Sequence, residues 1–334
     1  MSITFDPTKV EKELLDAQRQ LTAAESRSFL FNLVIMCHRN DSSEVEQRLL
    51  HILGRRAARL IRIEDGHKEG GIETGARCFE DAHERSVCFQ EIFIRNDKNN
   101  AGLAVGTWTA LLIRDIPTYV MWLLPVEGNE QVLTQIQENT DKIIVDSDLI
   151  AAQLADIGTS ARKLLRSLDS RIVSEGSILA DFSWKRLLPL RRITARVFDR
   201  EETVDYLGEV TGVAVRGGTE IHGELYVLWL ASRLGWTLEK NGFVDDHGRP
   251  VTFEHSDPGD IENGVEVVFS LENGKEIDIA AAPNGCADID LPGEDMKQRV
   301  YQLPDSGEIL LSEVDHMQPD SLYLEALHVL ADSQ

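Results

Sequence analysis

Residues 103–147 constrain the fold of this chain more than any other stretch. They contain two almost continuously apolar runs, 119–124 and 143–145, separated by a segment with the pattern of a short helix. Strands buried on both faces have apolar runs of this kind, and a helix is the usual crossover between two parallel strands. We therefore predict a right-handed βαβ unit in the middle of a sheet, with Lys142–Val145 as its second strand. The unit carries no obvious chemistry.

The rest of the chain predicts two domains, because 334 residues exceed what one hydrophobic core usually serves. Residues 1–168 alternate between strand and helix patterns, which predicts a layered α/β domain with a mixed sheet. Residues 169–182 lose periodicity, and we interpret them as a linker. Residues 183–334 contain short strands and Asn-Gly turns, which indicate an acidic α+β domain with a largely antiparallel sheet.

Two long helices are predicted, one at the end of the first domain and one within the second. Asp148–Leu168 has apolar residues at helical spacing and is predicted as one helix. Glu220–Leu234 is apolar almost all round, so we expect it to be buried, and Gly235 suits a left-handed C-cap.

The charge distribution excludes some classes of partner. The net charge is −23, and residues 201–334 contain 28 acidic but only 7 basic side chains. Nucleic acid and anionic membranes need a positive face, so neither is an expected partner. No window is apolar enough to span a membrane, and the N-terminal residues do not have the pattern of a secretion signal. We expect a cytoplasmic protein.

The cysteines give no metal-binding pattern, since no CxxC pair and no Cys/His pair at metal spacing occurs. Cys78 and Cys88 flank a polar segment, 81–85, and could lie opposite each other in a hairpin. A regulatory disulfide between them is one interpretation; reduced strand cysteines are the one we favour, because cytosolic thiols are usually reduced.

The sequence contains no recognisable catalytic constellation. The nine histidines are scattered, no serine lies in a GxSxG context, and nothing groups a nucleophile with a base. We therefore expect no catalytic residues, no metal and no cofactor. A candidate for anion binding is the turn Arg216-Gly217-Gly218-Thr219 between a strand and a helix, although Thr219 is also an ordinary N-cap.

A second candidate site is a basic segment that stands out from the acidic background. Aromatic and arginine side chains dominate the energetics of protein interfaces, so this segment is a candidate partner-binding surface. The alternative is a solvated helix whose arginines pair with the acidic domain. The candidate residues are Trp184, Lys185, Arg186, Arg191, Arg192 and Arg196.

Seven segments of the chain, in this order and spacing, resemble the glucose-6-phosphate dehydrogenase assembly protein (OpcA) family. The resemblance covers roughly residues 20–240, and the acidic remainder matches loosely. The segments are FLFNLVIMC (29–37), GRRAARLIRI (54–63), SVCFQEIFI (86–94), LLIRDIPTYVMWLLP (111–125), DKIIVDSD (141–148), DFSWKRLLPLRRITARVFD (181–199) and YVLWLASRLGW (226–236).

The resemblance implies a non-catalytic partner that binds glucose-6-phosphate dehydrogenase, the entry enzyme of the oxidative pentose phosphate pathway, and promotes its assembly or active state. Such an allosteric activator works by binding one state of the enzyme better than another. The alternative that the residues leave open is an enzyme or sensor that binds a phosphosugar at Arg216–Thr219.

Overall fold

The computed structural model describes residues 6–21, 29–80, 86–97, 108–240, 242–294 and 296–331. The chain divides into two compact units. The first comprises Met1–Asp146, Arg171–Phe182 and Asp305–Pro319; the second comprises Ser147–Ser170, Ser183–Pro304 and Asp320–Gln334. The division at 1–168, 169–182 and 183–334 stays a prediction.

The first unit is a mixed sheet with helices. Its strands are β1 (Phe31–His38), β2 (Ala58–His67), β3 (Gly71–Glu80), β4 (Ser86–Asp97), β5 (Thr118–Trp122), β6 (Lys142–Val145) and β7 (Ile178–Asp181). Its helices are α1 (Pro7–Leu21), α2 (Ser42–Leu50), α3 (Glu130–Gln137) and α9 (Ser306–Asp315).

Within the described residues these strands lie in the order β3-β4-β2-β1-β5-β6-β7. The β3–β4 pair is antiparallel, and the other neighbours are parallel. The predicted mixed sheet is therefore confirmed.

The β5-α3-β6 segment forms the predicted parallel pair with a helical crossover. Each residue of β5 and β6 is buried, as the continuous apolar runs indicate. Even Lys142 is buried, because its ammonium group donates to Glu313 and to the carbonyl oxygens of Glu313 and His316. The beginning of the stretch, 103–107, lies outside the described residues.

The second unit contains the helices α4 (Ser147–Leu154), α5 (Ala161–Leu168), α6 (Phe182–Arg186), α7 (Leu188–Phe198), α8 (Glu220–Leu234) and α10 (Ser321–Ala331). Phe182 itself is counted with the first unit. The strands are β8 (Val210–Gly217), β9 (Thr237–Glu239), β10 (Gly242–Val244), β11 (Pro250–Ser256), β12 (Val265–Leu271), β13 (Glu276–Ala281), β14 (Cys286–Asp290) and β15 (Lys297–Val300).

The second sheet has the order β15-β14-β13-β12-β8-β11-β10-β9 over the described part of the chain. There the β8–β11 pair is parallel and the other pairs are antiparallel, which confirms the predicted α+β unit. α8 is buried continuously from Ile221 to Ala231, and Gly235 ends it in the left-handed conformation, both as predicted.

The prediction of one helix over Asp148–Leu168 is wrong. α4 ends at Leu154, a short 3₁₀ turn follows, and Gly158 adopts a left-handed conformation with φ +66°. Ser160 then caps α5 by accepting a hydrogen bond from the Lys163 amide, at 3.3 Å. The glycine and the new N-cap stop one helix and start another.

Residues 169–182, interpreted as a linker, carry regular structure. Asp169–Val173 forms a π-helical turn, and Ile178–Asp181 forms β7, the edge of the first sheet. The apolar run of β7 ends at a buried carboxylate, Asp181, so its pattern is weaker than that of β6, which is equally short.

The interpretation of Cys78 and Cys88 as reduced strand cysteines is wrong. They face each other across β3 and β4 and form a disulfide, while residues 81–85 lie outside the described part of the chain. Cys37 and Cys286 are free. Burial, with a smaller contribution from Glu64, raises the pKa of the Cys37 thiol, so this group stays protonated and inert.

Candidate partner-binding surface

The predicted basic surface lies on two consecutive helices, α6 and α7, with Pro189 in the first turn of α7, where a missing N–H costs nothing. The structure divides the six candidate residues into two groups. Trp184 and Arg191 are buried, while Arg192 and Arg196 are exposed and Lys185 and Arg186 are half-buried.

Trp184 belongs to the core of the second unit, with 0% of its surface exposed. Its ring packs against Tyr323 with centroids 5.2 Å apart, and its indole Nε1 donates to a carboxylate oxygen of Asp320 at 3.0 Å. A buried tryptophan usually satisfies its N–H in this way. The residue ties α6 to the start of α10.

Arg191 stacks on the same indole, with its guanidinium carbon 3.5 Å from the ring centroid and 4% of its surface exposed. It donates to the Trp184 carbonyl oxygen at 3.0 Å. Burial lowers the pKa of Arg191 to about 10, with the positive charge of Arg192 acting in the same direction and Asp320 opposing both. The side chain remains charged at neutral pH and acts as a packing element.

Asp320 links these residues, and no sequence pattern points to it. Burial alone would raise the pKa of Asp320, but the hydrogen bond from Trp184 and the charge of Lys185 outweigh burial and hold it below its usual range. The Lys185 ammonium lies 3.3 Å from a carboxylate oxygen of Asp320. The contact joins positions 135 residues apart, so local periodicity does not reveal it.

Arg192 and Arg196 remain on the solvent side of α7. Four residues apart on a helix, they are neighbours, and two like charges at this spacing destabilise a helix by about 0.2–0.5 kcal/mol. Within the described ranges neither side chain forms an ion pair. Their charges are therefore available to an external carboxylate surface.

The second predicted site, Arg216–Thr219, joins β8 to α8. Gly217 and Gly218 have φ values of +80° and +64°, and a Cβ at Gly217 would lie 2.6 Å from the carbonyl oxygen of Gly264, so the turn requires glycine there. Arg216 pairs with Glu266 at 2.7 Å. Thr219 caps α8, with His222 completing a capping box.

A cleft of about 540 Å³ lies beside this turn. Small and polar residues of the α4–α5 connection line it together with Thr219, and the carboxylate-bearing residues Asp148 and Glu220 are among the lining. Two carboxylates, a paired arginine and an occupied N-cap all weaken the attraction for a phosphate group. Anion binding at Arg216–Thr219 stays a prediction.

Within the described residues, no three His, Cys, Asp or Glu side chains are arranged to hold a metal ion. Over the same part of the chain, none of the helices is long and apolar enough to cross a membrane.

The solved structures similar to this chain include two distant ones. The oxidoreductase YvaA of Bacillus subtilis is 9% identical with a TM-score of 0.44, and the alignment covers 91% of this chain and 95% of that one. The WlbA dehydrogenase of Chromobacterium violaceum is 10% identical with a TM-score of 0.39, and the alignment covers 93% of this chain and 95% of that one. Similarities at this level support no statement about activity.

The sequence has relatives named OxPP cycle protein OpcA in three cyanobacteria. The Synechocystis protein is 28% identical over 153 residues, 45% of this chain and 30% of the relative. The Synechococcus elongatus protein is 24% identical over 274 residues, which are 73% of this chain and 59% of the relative. The Nostoc punctiforme protein is 25% identical over 256 residues, which are 68% of this chain and 53% of the relative. The chain thus spans about one third to three fifths of the length of these relatives.

Two family models match most of the chain, and both describe domains of a glucose-6-phosphate dehydrogenase subunit. Residues 50–162 match the N-terminal domain of that description, and residues 177–327 match the C-terminal domain. The two matches follow each other in order and together cover well over half of the chain. The chain belongs to the glucose-6-phosphate dehydrogenase assembly protein family, the OpcA family.

Proposed function

We propose that this chain is a non-catalytic assembly factor that binds glucose-6-phosphate dehydrogenase in the cytoplasm and stabilises its active state. Family membership is the observation that carries the proposal. Both matching domains are described as parts of a glucose-6-phosphate dehydrogenase subunit, and the relatives are named for the oxidative pentose phosphate cycle.

The mechanism is a shift between states of the dehydrogenase. A partner that binds the active conformation or oligomer more tightly than the inactive one stabilises the active state by the difference in binding free energy. A ten-fold preference amounts to about 1.4 kcal/mol, enough to change the populated state when the two are nearly balanced.

The docking surface in this proposal is the exposed part of the basic segment, Arg192 and Arg196, flanked by Lys185 and Arg186. Arg192 and Arg196 form an i,i+4 like-charge pair that costs helix stability, which favours a role outside the fold. Trp184 and Arg191 support the surface from below through the contact of the indole with the guanidinium.

Calorimetric titration of the dehydrogenase from the same organism tests the docking surface. Arg192→Glu combined with Arg196→Glu should weaken binding at least ten-fold, because two attractions become two repulsions, and should leave Tm nearly unchanged. Arg299→Glu is the matched control, since Arg299 is also an exposed arginine of the second unit and should bind like the parent. Equal affinity of the double variant and the parent would contradict the assignment of the surface.

The alternative function, a phosphosugar enzyme or sensor that uses Arg216–Thr219, is less well supported. Arg216 is already paired with Glu266, and carboxylates line the adjacent cleft. Titration of the chain alone with glucose 6-phosphate distinguishes the two functions, since a saturable rise in Tm would favour this alternative.

A further inference from the structure

We propose that the outer edge of β3 pairs with the same edge of a second copy of this chain, in an antiparallel arrangement centred on Gly75. β3 is the terminal strand of the first sheet and has, within the described residues, β4 as its only strand neighbour. It is ten residues long, contains no proline, and pairs with β4 without a bulge. Helix α1 packs against β3, and the Thr74 hydroxyl donates to a carboxylate oxygen of Glu13 in α1. No described strand covers the outer edge of β3, and a strand edge of this length is a template for a further strand.

The geometry of the β3–β4 pair indicates which backbone groups point outward. Cys78 and Cys88 lie directly opposite each other with Cα atoms 4.1 Å apart, the short separation of a pair that exchanges no backbone hydrogen bonds. The N–H and C=O of Cys78 therefore point away from β4. Because this orientation alternates along a strand, the same holds for Ala76, Thr74 and Ile72.

These outward groups fix the possible registers with a second β3. Even-numbered residues must face even-numbered residues, since only their N–H and C=O groups point away from β4. With the two-fold axis at Gly75, Thr74 faces Ala76 of the second copy and Ile72 faces Cys78 of the second copy. About eight backbone hydrogen bonds would form across the axis.

The charged side chains select one of these registers. Centred on Gly75, the pairing places Glu73 of each copy opposite Arg77 of the other, twice, at non-hydrogen-bonded positions where side chains are closest. With the axis at residue 73, Glu73 would face Glu73 of the second copy. With the axis at residue 77, Arg77 would face Arg77 of the second copy. Axes at residues 74 and 76 would lose both opposite-charge pairs.

Glu73 and Arg77 already form ion pairs within the chain, and each can form a further ion pair. Glu73 pairs with Arg95, and Arg77 pairs with Glu91 and, at 2.8 Å, with Glu46. The side chain of Glu73 is 59% exposed and that of Arg77 33% exposed. The five N–H donors of Arg77 leave room for an additional carboxylate, so the pairing would extend an existing ion-pair network across the axis.

Two variants follow from the same geometry. Ala76→Pro removes an outward N–H that β4 does not use, so it should abolish the pairing and preserve the β3–β4 ladder. Gly75→Cys places a thiol on the axis, with its Cα about 4.5 Å from that of its symmetry mate, and a Cβ at this position meets no described atom within 4 Å. Glu73→Cys is the matched control, because its thiol would face Arg77 of the second copy.

Sedimentation equilibrium of the full chain, at concentrations on the order of 1–100 µM because the interface is small, is the first measurement. We expect the parent to approach twice 37.4 kDa and Ala76→Pro to remain near 37.4 kDa. Under mild oxidation Gly75→Cys should cross-link into a dimer, whereas Glu73→Cys and the parent should not. A parent that stays monomeric throughout, or a Gly75→Cys variant that does not cross-link beyond the Glu73→Cys level, would overturn the proposal.

Discussion

At the scale of single residues, the basic segment serves two purposes. Trp184 and Arg191 pack inside the second unit, and Arg192 and Arg196 face solvent. Arg191 should therefore matter for stability and Arg192 for binding. The two residues are adjacent in sequence, which makes them a matched pair for mutation.

Replacing Arg191 by alanine should lower the free energy of unfolding by about 1–3 kcal/mol, because the stacking on Trp184 and the hydrogen bond to the Trp184 carbonyl are lost. Replacing Arg192 by alanine should change it by less than about 0.5 kcal/mol, as is usual for an exposed residue. Urea denaturation of both variants measures the difference. Equal effects of the two substitutions would refute the division of the segment.

The spacing of buried residues along α7 indicates part of this division between buried and exposed side chains. Residues 190, 193, 194, 197 and 198 of α7 are buried, and Arg191 lies one turn from Thr194 and two turns from Phe198, on the edge of the same face. Periodicity alone could therefore have placed Arg191 toward the interior. It could not have identified Asp320 or Tyr323, because those contacts bridge more than a hundred residues.

Because the carboxyl group of Asp278 on β13 has a raised pKa, we expect the stability of the folded chain to depend on pH. Burial, together with the neighbouring Glu266 carboxylate, raises the pKa of Asp278 from 3.8 to about 6. The folded state then holds a proton that the unfolded state releases, so the stabilisation is full below pH 3.8 and is lost as the pH rises through 6. Asp278→Asn should thus gain Tm relative to the parent between about pH 4 and pH 7.

Thermal melts of both proteins at about pH 4, 5, 6 and 7 measure this gain. Glu266→Gln is the companion variant, because it removes the second cause of the raised pKa and should flatten the profile. If Tm of Asp278→Asn and of the parent ran parallel over the whole range, the raised pKa would be wrong.

At the scale of secondary-structure elements, the disulfide between β3 and β4 should stabilise the first unit. It closes a loop with a sequence separation of 10, for which chain entropy predicts about 2–3 kcal/mol. Dithiothreitol should lower Tm of the parent. The control is a variant with both Cys78→Ser and Cys88→Ser, whose Tm dithiothreitol should not change. An equal loss of Tm in this variant would show that dithiothreitol acts at another site.

The elements predicted correctly have strong local patterns. β5 and β6 contain continuous apolar runs, 119–122 and 143–145, because they are buried on both faces, and α8 is apolar almost all round for the same reason. The local patterns of α9 and β7 are weaker, because the apolar residues of α9 lie among acidic ones and the apolar run of β7 ends at Asp181. Long-range packing, which the sequence does not display, positions both.

At the scale of the whole molecule, the acidic excess of residues 201–334 forms the background against which α7 presents two cations. The local attraction between these two arginines and carboxylates of a partner should therefore depend on salt. The affinity of the parent for the dehydrogenase should fall as NaCl rises from about 50 to 500 mM, because screening shortens the range of the attraction. The Arg192→Glu and Arg196→Glu double variant should lose this dependence, and a double variant with the slope of the parent would place the charged contact elsewhere.

The most direct measurement is the rate of glucose 6-phosphate oxidation by purified glucose-6-phosphate dehydrogenase as this chain is added. A binding partner that stabilises the active state should raise the rate along a saturation curve, with the chain itself showing no activity in the absence of the dehydrogenase. A rate that does not change at any concentration of the chain, or turnover by the chain alone, would contradict the proposed function.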